Sequence, residues 1–204
     1  MKTLKMYGSA INERFIDDAV EALRDGLIII YPTDSLYAIG CDALNNRAVE
    51  KICRLKGIDP RKQHLAITCA DLSQAAGYAR ISNSAYDVLR RTLPGAFTFI
   101  LPASTSLPKV FKGRKEVGVR VPDDAIARRL AEALGNPLLT TSIDLTDIDE
   151  DAAEVATMEI AEKYSGEVAI TIDAGTRGTV GSTIVDLNDP TDPQILRQGL
   201  SVLE

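Results

Sequence analysis

Four apolar residues in a row, Leu27-Ile28-Ile29-Ile30, run straight into Tyr31-Pro32-Thr33-Asp34-Ser35. A short unbroken apolar run of this kind reads as a buried strand. Its abrupt end in a proline, two hydroxyls and a carboxylate is either an ordinary turn or the lip of a binding site. The run follows directly on a helical pattern: Phe15, Ile16, Ala19, Val20 and Leu23 recur at helical spacing over 12–24, and Asp25-Gly26 closes the segment. A helix that hands the chain to a buried strand is the local signature of an α/β fold.

The alternation continues downstream. Helices are predicted over 46–56, closed by Gly57; from Ser82 or Asn83 to Leu93, stopped by Pro94-Gly95; and from Asp123 or Asp124 to about Leu134, closed by Gly135. A brief helix starts at Asp71. Strands are predicted over 65–69, 96–101, 117–121, 137–141, 167–175, 182–187 and 194–199, with an acidic helix near 149–164 as an insertion or external layer. No repeat, low-complexity tract or linker interrupts the 204 residues. The expectation is therefore one α/β domain, 1–204, on a twisted mixed sheet flanked by helices.

Composition narrows the function classes. No apolar run approaches the roughly 18 residues of a membrane span, and the start MKTLKMYG lacks an apolar signal segment, so a cytoplasmic protein with no membrane partner is expected. Cys41, Cys53 and Cys69 form neither an even set nor a CxxC pair and read as reduced thiols. The single histidine, His64, argues against histidine-built metal sites and Ser-His-Asp catalysis; it reads as a surface or packing residue. The net charge of −6 is unevenly spread: residues 144–173 hold ten acids and one base, a local −9, which leaves +3 on the remainder. Basic residues gather at 51–62 and at 109–120. Converging, they would make a local anion site on an acidic protein; apart, they are two solvated faces.

Several strand ends carry short hydroxyls: Thr33 and Ser35 after the first strand, Thr140, Thr141 and Ser142 with Asp144 after another, and Ser182 and Thr183 at the start of a third. Such groups bind anions and carboxylates without charge or bulk, which suits a small-molecule pocket. One such cluster is ordinary turn chemistry; three, interspersed with Lys56, Arg120 and Arg197, point to a polar pocket. Neither GxxxxGK[ST] nor GxGxxG occurs, so any nucleotide has to be held by dispersed hydroxyls and basic side chains.

The segments YPTDSLYAIGCD, PGAFTFILPA, VGVRVP, LLTTSID, GSTIVDL and ILRQG stand in the order and spacing of the YrdC-like family, and the resemblance spans roughly residues 12 to 200. It implies a YrdC-like (YrdC/RibB-type) fold with a concave, positively lined groove. Synthase members of that family condense L-threonine, bicarbonate and ATP, with Mg2+, into threonylcarbamoyl-AMP and pyrophosphate for tRNA modification; double-stranded RNA binding is also ascribed to the fold. Carried over by motif, Thr33, Arg120 and Ser182 would contact the threonine substrate, with Arg120 on its carboxylate. Lys56 would be the lysine of the K-x-R motif and the principal catalytic group. Thr98, Ser142, Asp144 and Arg197 would join Lys56 around the nucleotide, and no protein-held metal is implied. Two positions depart from the pattern: Ile58 replaces the K-x-R arginine, and Asp144 replaces the asparagine of S-x-N. Arg61 or Lys62 could restore the lost charge from a longer loop. These departures resemble the YciO branch. The alternatives are therefore a YciO-type protein that binds a nucleotide or double-stranded RNA without making an adenylate, or an enzyme with another substrate.

Overall fold

The computed structural model describes residues 1–8, 10–60, 62–108, 111, 115–143, 154–155 and 157–203. The apolar run becomes β2 (Ile29–Tyr31), and its neighbours sort by alternation. Ile28 and Ile30 enter one apolar cluster, with Val49 and Ile52 of α2 (Asn46–Leu55) and Leu89 of α4 (Asn83–Thr92). Ile29 and Tyr31 enter a second, with Ile16 and Leu23 of α1 (Glu13–Arg24) and Leu130 of α5 (Ala125–Leu134). A strand apolar on both sides needs helices on both sides, and these two clusters are the result.

The remaining strands are β1 (Lys2–Lys5), β3 (Ala38–Asp42), β4 (Ala66–Thr68), β5 (Phe97–Pro102), β6 (Glu116–Arg120), β7 (Leu138–Ser142), β8 (Glu154–Val155), β9 (Ile170–Asp173), β10 (Arg177–Gly178), β11 (Thr183–Asp186) and β12 (Gln194–Arg197). Ten of the twelve described strands form one sheet in the order β1-β9-β2-β3-β7-β4-β6-β5-β11-β12, and β8 and β10 make a separate two-stranded ribbon. The sheet is mixed: β2 runs parallel to β9 but antiparallel to β3, and β4 parallel to β6 but antiparallel to β7. The expected fold class therefore holds.

Helix ends follow the expected chemistry. Ser82 caps α4 and Asp124, not Asp123, caps α5 through its Oδ1 and Ala127 N; Asp71 caps the short α3 (Leu72–Ala76). Gly135 ends α5 in the left-handed conformation that a side chain would disfavour (φ 79°). The acidic helix starts later than expected. α6 spans Thr157–Lys163, and β8 stands ahead of it, paired antiparallel to β10. The physical reason lies at Thr157, whose buried hydroxyl donates to Asp173 Oδ1 (2.7 Å) and hydrogen-bonds Tyr37 Oη (2.8 Å), pinning the start of α6 to the end of β9. Residues 149–153 lie outside the described residues. Among those described, no helix is long and apolar enough to cross a membrane, and all three cysteines are buried and free.

Candidate functional site

Six of the eight residues singled out in the sequence meet at one cavity of about 590 Å³. Lys56 follows α2, Thr98 lies in β5, Arg120 ends β6, Ser142 ends β7, Ser182 precedes β11 and Arg197 ends β12. A second hollow of about 540 Å³ adjoins it, and Lys56, Thr141, Ser142 and Arg197 line both. The two spaces are thus divided by a cationic and hydroxyl-bearing ridge, an arrangement suited to a ligand with two parts joined by an anionic centre.

The cavity floor is apolar at Ile100, Leu139 and Ile184 and polar at a hydroxyl pair, Thr98 Oγ1 and Ser182 Oγ, 2.8 Å apart across β5 and β11. Gly118 keeps this floor low. A Cβ there would lie 3.0 Å from Ala66 Cβ and 3.1 Å from Thr98 Cγ2. Behind it, the buried Tyr31 hydroxyl hydrogen-bonds Thr140 Oγ1 (2.9 Å) and Thr68 Oγ1 (3.1 Å), and its ring crosses Gly40, where a Cβ would stand 2.7 Å from Tyr31 Cε1.

Charge enters through Arg120 and Arg197. Arg120 Nη2 donates to Asp34 Oδ1 (3.1 Å) and Ser35 Oγ (3.2 Å), and Asp34 Oδ2 accepts from Asp123 N (2.8 Å). The ion pair is almost dry, with side-chain exposures of 6% and 9%. Arg120 Nε is buried and, among the described residues, has no hydrogen-bond partner. The Arg120 side chain is among those lining the cavity, and a guanidinium is a planar donor suited to a carboxylate or phosphate. Arg197 Nη2 donates to Ser182 O (2.8 Å). Burial, reinforced by the nearby Arg120 cation, lowers the Arg197 pKa from its ordinary value. Two guanidiniums that disfavour one another at one cavity form a site that an anion relieves.

Thr33 is placed elsewhere. It is fully buried, its Oγ1 donates to Leu36 O (2.5 Å) and accepts from Ser35 N (3.2 Å), and it is not on the cavity wall. In this structure the Thr33 hydroxyl shapes the segment that delivers Asp34 and Ser35 to Arg120. Arg177, which the sequence did not single out, fastens the same turn from behind. Its Nε donates to Thr33 O (3.1 Å), its Nη2 to Asp124 Oδ2 (3.3 Å), and its guanidinium lies 5.8 Å from the centre of the Tyr37 ring. Asp144 and Arg61 lie outside the described residues. Ile58 and Lys62 both line the cavity. His64 also lines the cavity; a lone histidine in a polar loop gave no periodic or spacing signal that could have flagged it.

The Sua5/YciO/YrdC family model, which carries the description "telomere recombination", matches residues 21–199. The chain belongs to the Sua5/YciO/YrdC family. It is 37% identical over 190 residues to YciO, an uncharacterized protein of Escherichia coli strain K12, covering 92% of this chain and 90% of that one. The crystal structure of E. coli YciO superposes with a TM-score of 0.89 over 100% of this chain and 98% of that one. The chain is also 33% identical over 197 residues to the threonylcarbamoyl-AMP synthase of Pyrococcus abyssi, covering 95% of this chain and 56% of the synthase. The structure of P. abyssi Sua5 complexed with L-threonine matches with a TM-score of 0.82, over 97% of this chain and 57% of that one, at 30% identity. The chain thus spans the YciO length and about half of the archaeal synthase.

Proposed function

We propose that the cavity binds L-threonine and ATP and that the chain catalyses, in the manner of a threonylcarbamoyl-AMP synthase, condensation of L-threonine, bicarbonate and ATP into threonylcarbamoyl-AMP, pyrophosphate and water. The observation that carries this reading is the two-part cavity, lined by Arg120 on one side and by Lys56 and Arg197 on the ridge that both hollows share. Similarity to synthases, and to a structure complexed with L-threonine, supports it.

The chemistry asks little of acid–base groups. The threonine amine, having lost a proton, attacks CO2, formed from bicarbonate with loss of water, or attacks bicarbonate itself with a C–O bond breaking as water leaves, to give a carbamate. A carbamate oxygen then attacks the α-phosphorus, and the bond to the bridging oxygen breaks as pyrophosphate leaves. Arg120 orients the threonine carboxylate, and the Thr98–Ser182 hydroxyl pair lines the same cavity. Lys56 and Arg197 offset charge on the phosphates as it moves to the leaving group. Among the described residues no group of three or more His, Cys, Asp or Glu converges to hold a metal. Mg2+ is assigned here to the substrate, as the ion carried by the ATP phosphates, and no step depends on a protein-held ion.

The deciding experiment incubates the protein with threonine, bicarbonate, ATP and Mg2+ and follows pyrophosphate. Threonine-dependent release is expected, falling by about 100-fold or more in Lys56→Ala as transition-state charge stabilisation is lost. No release above that control would refute the synthase reading and leave an enzyme of another substrate or a binding protein. Asp144→Asn addresses the S-x-N departure. If Asp144 takes the place that the motif resemblance implies, removing its carboxylate is expected to tighten ATP binding by about fivefold, on the order of 1 kcal/mol for one charge at a solvated site. Isothermal titration checks it, and unchanged or weaker binding counts against Asp144 facing the nucleotide.

A further inference from the structure

The two outer strands of the ten-stranded sheet are finished differently. At one end β1 exposes Lys2, Thr3 and Lys5, and charged side chains on an edge strand guard against association with another chain. At the other end β12 pairs with β11 alone, all four of its residues are exposed, and no lysine guards it. Two of the four, Ile195 and Leu196, are large and apolar, and Leu200 and Val202 continue the strip beyond the strand. Val180 joins it, because Leu200 N donates to Gly181 O (2.9 Å) and so lies beside the chain at 180–181. These five side chains are 48–72% exposed, and they make up five of the nine large hydrophobics exposed among the described residues. Together they leave on the order of 500 Å² uncovered, near the largest apolar patch of an ordinary monomer. Two such strips facing each other remove about 1,000 Å² from water, the size at which a specific interface begins. Charge favours this face over others. Net charge −6 opposes self-association in general, yet residues 178–183 and 193–203 hold one charged side chain, Arg197, and no acid. Arg197 Nη2 is committed to Ser182 O.

We propose that this edge is an isologous dimer interface, in which the β12 strip of one copy packs on the same strip of a second copy with Leu196 near the twofold axis. The register points to Leu196 as the centre. β11 pairs Ile184 with Arg197 and Val185 with Ile195, so Leu196 is an extra residue without a β11 partner, the mark of a bulge. In a contact of this symmetry one patch serves both subunits, and a residue on the axis meets its own mate. The inference is independent of what the cavity binds, but it reaches the cavity. Val180, Arg197 and Gln198 also line the second hollow, so the partner copy stands at the rim of that hollow and braces the strand that carries Arg197.

Sedimentation equilibrium of the full chain over about 1–100 μM tests the proposal, the range suited to an interface of this modest size. The wild type is expected to approach twice the mass of one chain as concentration rises. Leu196→Lys sets two like charges face to face at the axis and is expected to weaken association by about tenfold or more; circular dichroism checks that it stays folded. Cross-linking gives a second readout. The three native cysteines are buried, so Leu196→Cys adds a single exposed thiol, and mild oxidation is expected to join two copies through it. Thr3→Cys, on the opposite edge of the sheet, is expected to cross-link far more slowly. A wild type that keeps the mass of one chain throughout, a dimer that Leu196→Lys leaves at full strength, or cross-linking no faster at position 196 than at position 3 would each overturn the proposal.

Discussion

Replacing Asp34 with alanine is expected to destabilise the protein by about 3–5 kcal/mol, the penalty for leaving a buried cation without its partner. Arg120 and Asp34 are only 6% and 9% exposed at the side chain, so water cannot take over the lost contact. The second Asp34 oxygen also accepts from Asp123 N, one residue before the cap of α5, so the change unties the turn and the start of the helix together. Denaturant unfolding of D34A gives the loss directly. The double variant D34A/R120M is expected to recover most of it, because the stranded charge leaves with the arginine; coupling between the two sites is the quantity of interest. A loss under about 1 kcal/mol in D34A would place the pair in the class of exposed bridges and refute the buried geometry.

The same ion pair shows what the sequence could and could not disclose. YPTDS announced a strand ending in a polar lip, and the lip is there. Its Thr33 hydroxyl is bonded within the turn, while the carboxylate beside it pairs with Arg120. A periodic pattern tells which residues are buried; it does not tell which of two adjacent polar groups faces inward across 86 residues of chain. The segment Ala38–Asp42 was similarly hidden. It pairs with both β2 and β7, yet no strand is predicted there, and it carries Gly40, a residue that normally weakens strands. Here the missing side chain makes room for the Tyr31 ring. Lys56, Thr98, Arg120, Ser142, Ser182 and Arg197 were legible because they sit in ordered motifs at strand and helix ends, the places where an α/β sheet gathers its ligand groups. His64 and Arg177 belong to no such motif, and only the tertiary approach of Glu116 and Tyr37 gives them meaning.

Arg197→Gln is expected to separate stability from binding. In the unliganded protein Arg197 is partly buried and sits in the field of Arg120, which together disfavour its charged form. Removing that charge relieves repulsion while forfeiting the donor to Ser182 O, two changes of opposite sign. The net effect on unliganded stability is expected to stay within about 1 kcal/mol, the scale of one net hydrogen bond. The response to ligand should differ far more. A polyphosphate at 100 times its dissociation constant adds about 2.7 kcal/mol to the folded state, which for a chain of this size raises the melting temperature by about 5–10 °C. The anion draws that gain from the two guanidiniums whose mutual repulsion it relieves, so the ligand-induced shift should fall by more than half in Arg197→Gln at the same pyrophosphate concentration. Thermal scans with and without pyrophosphate make the comparison. An undiminished shift would mean that the anion binds away from the ridge shared by the two hollows, and the two-part reading of the cavity would fall with it.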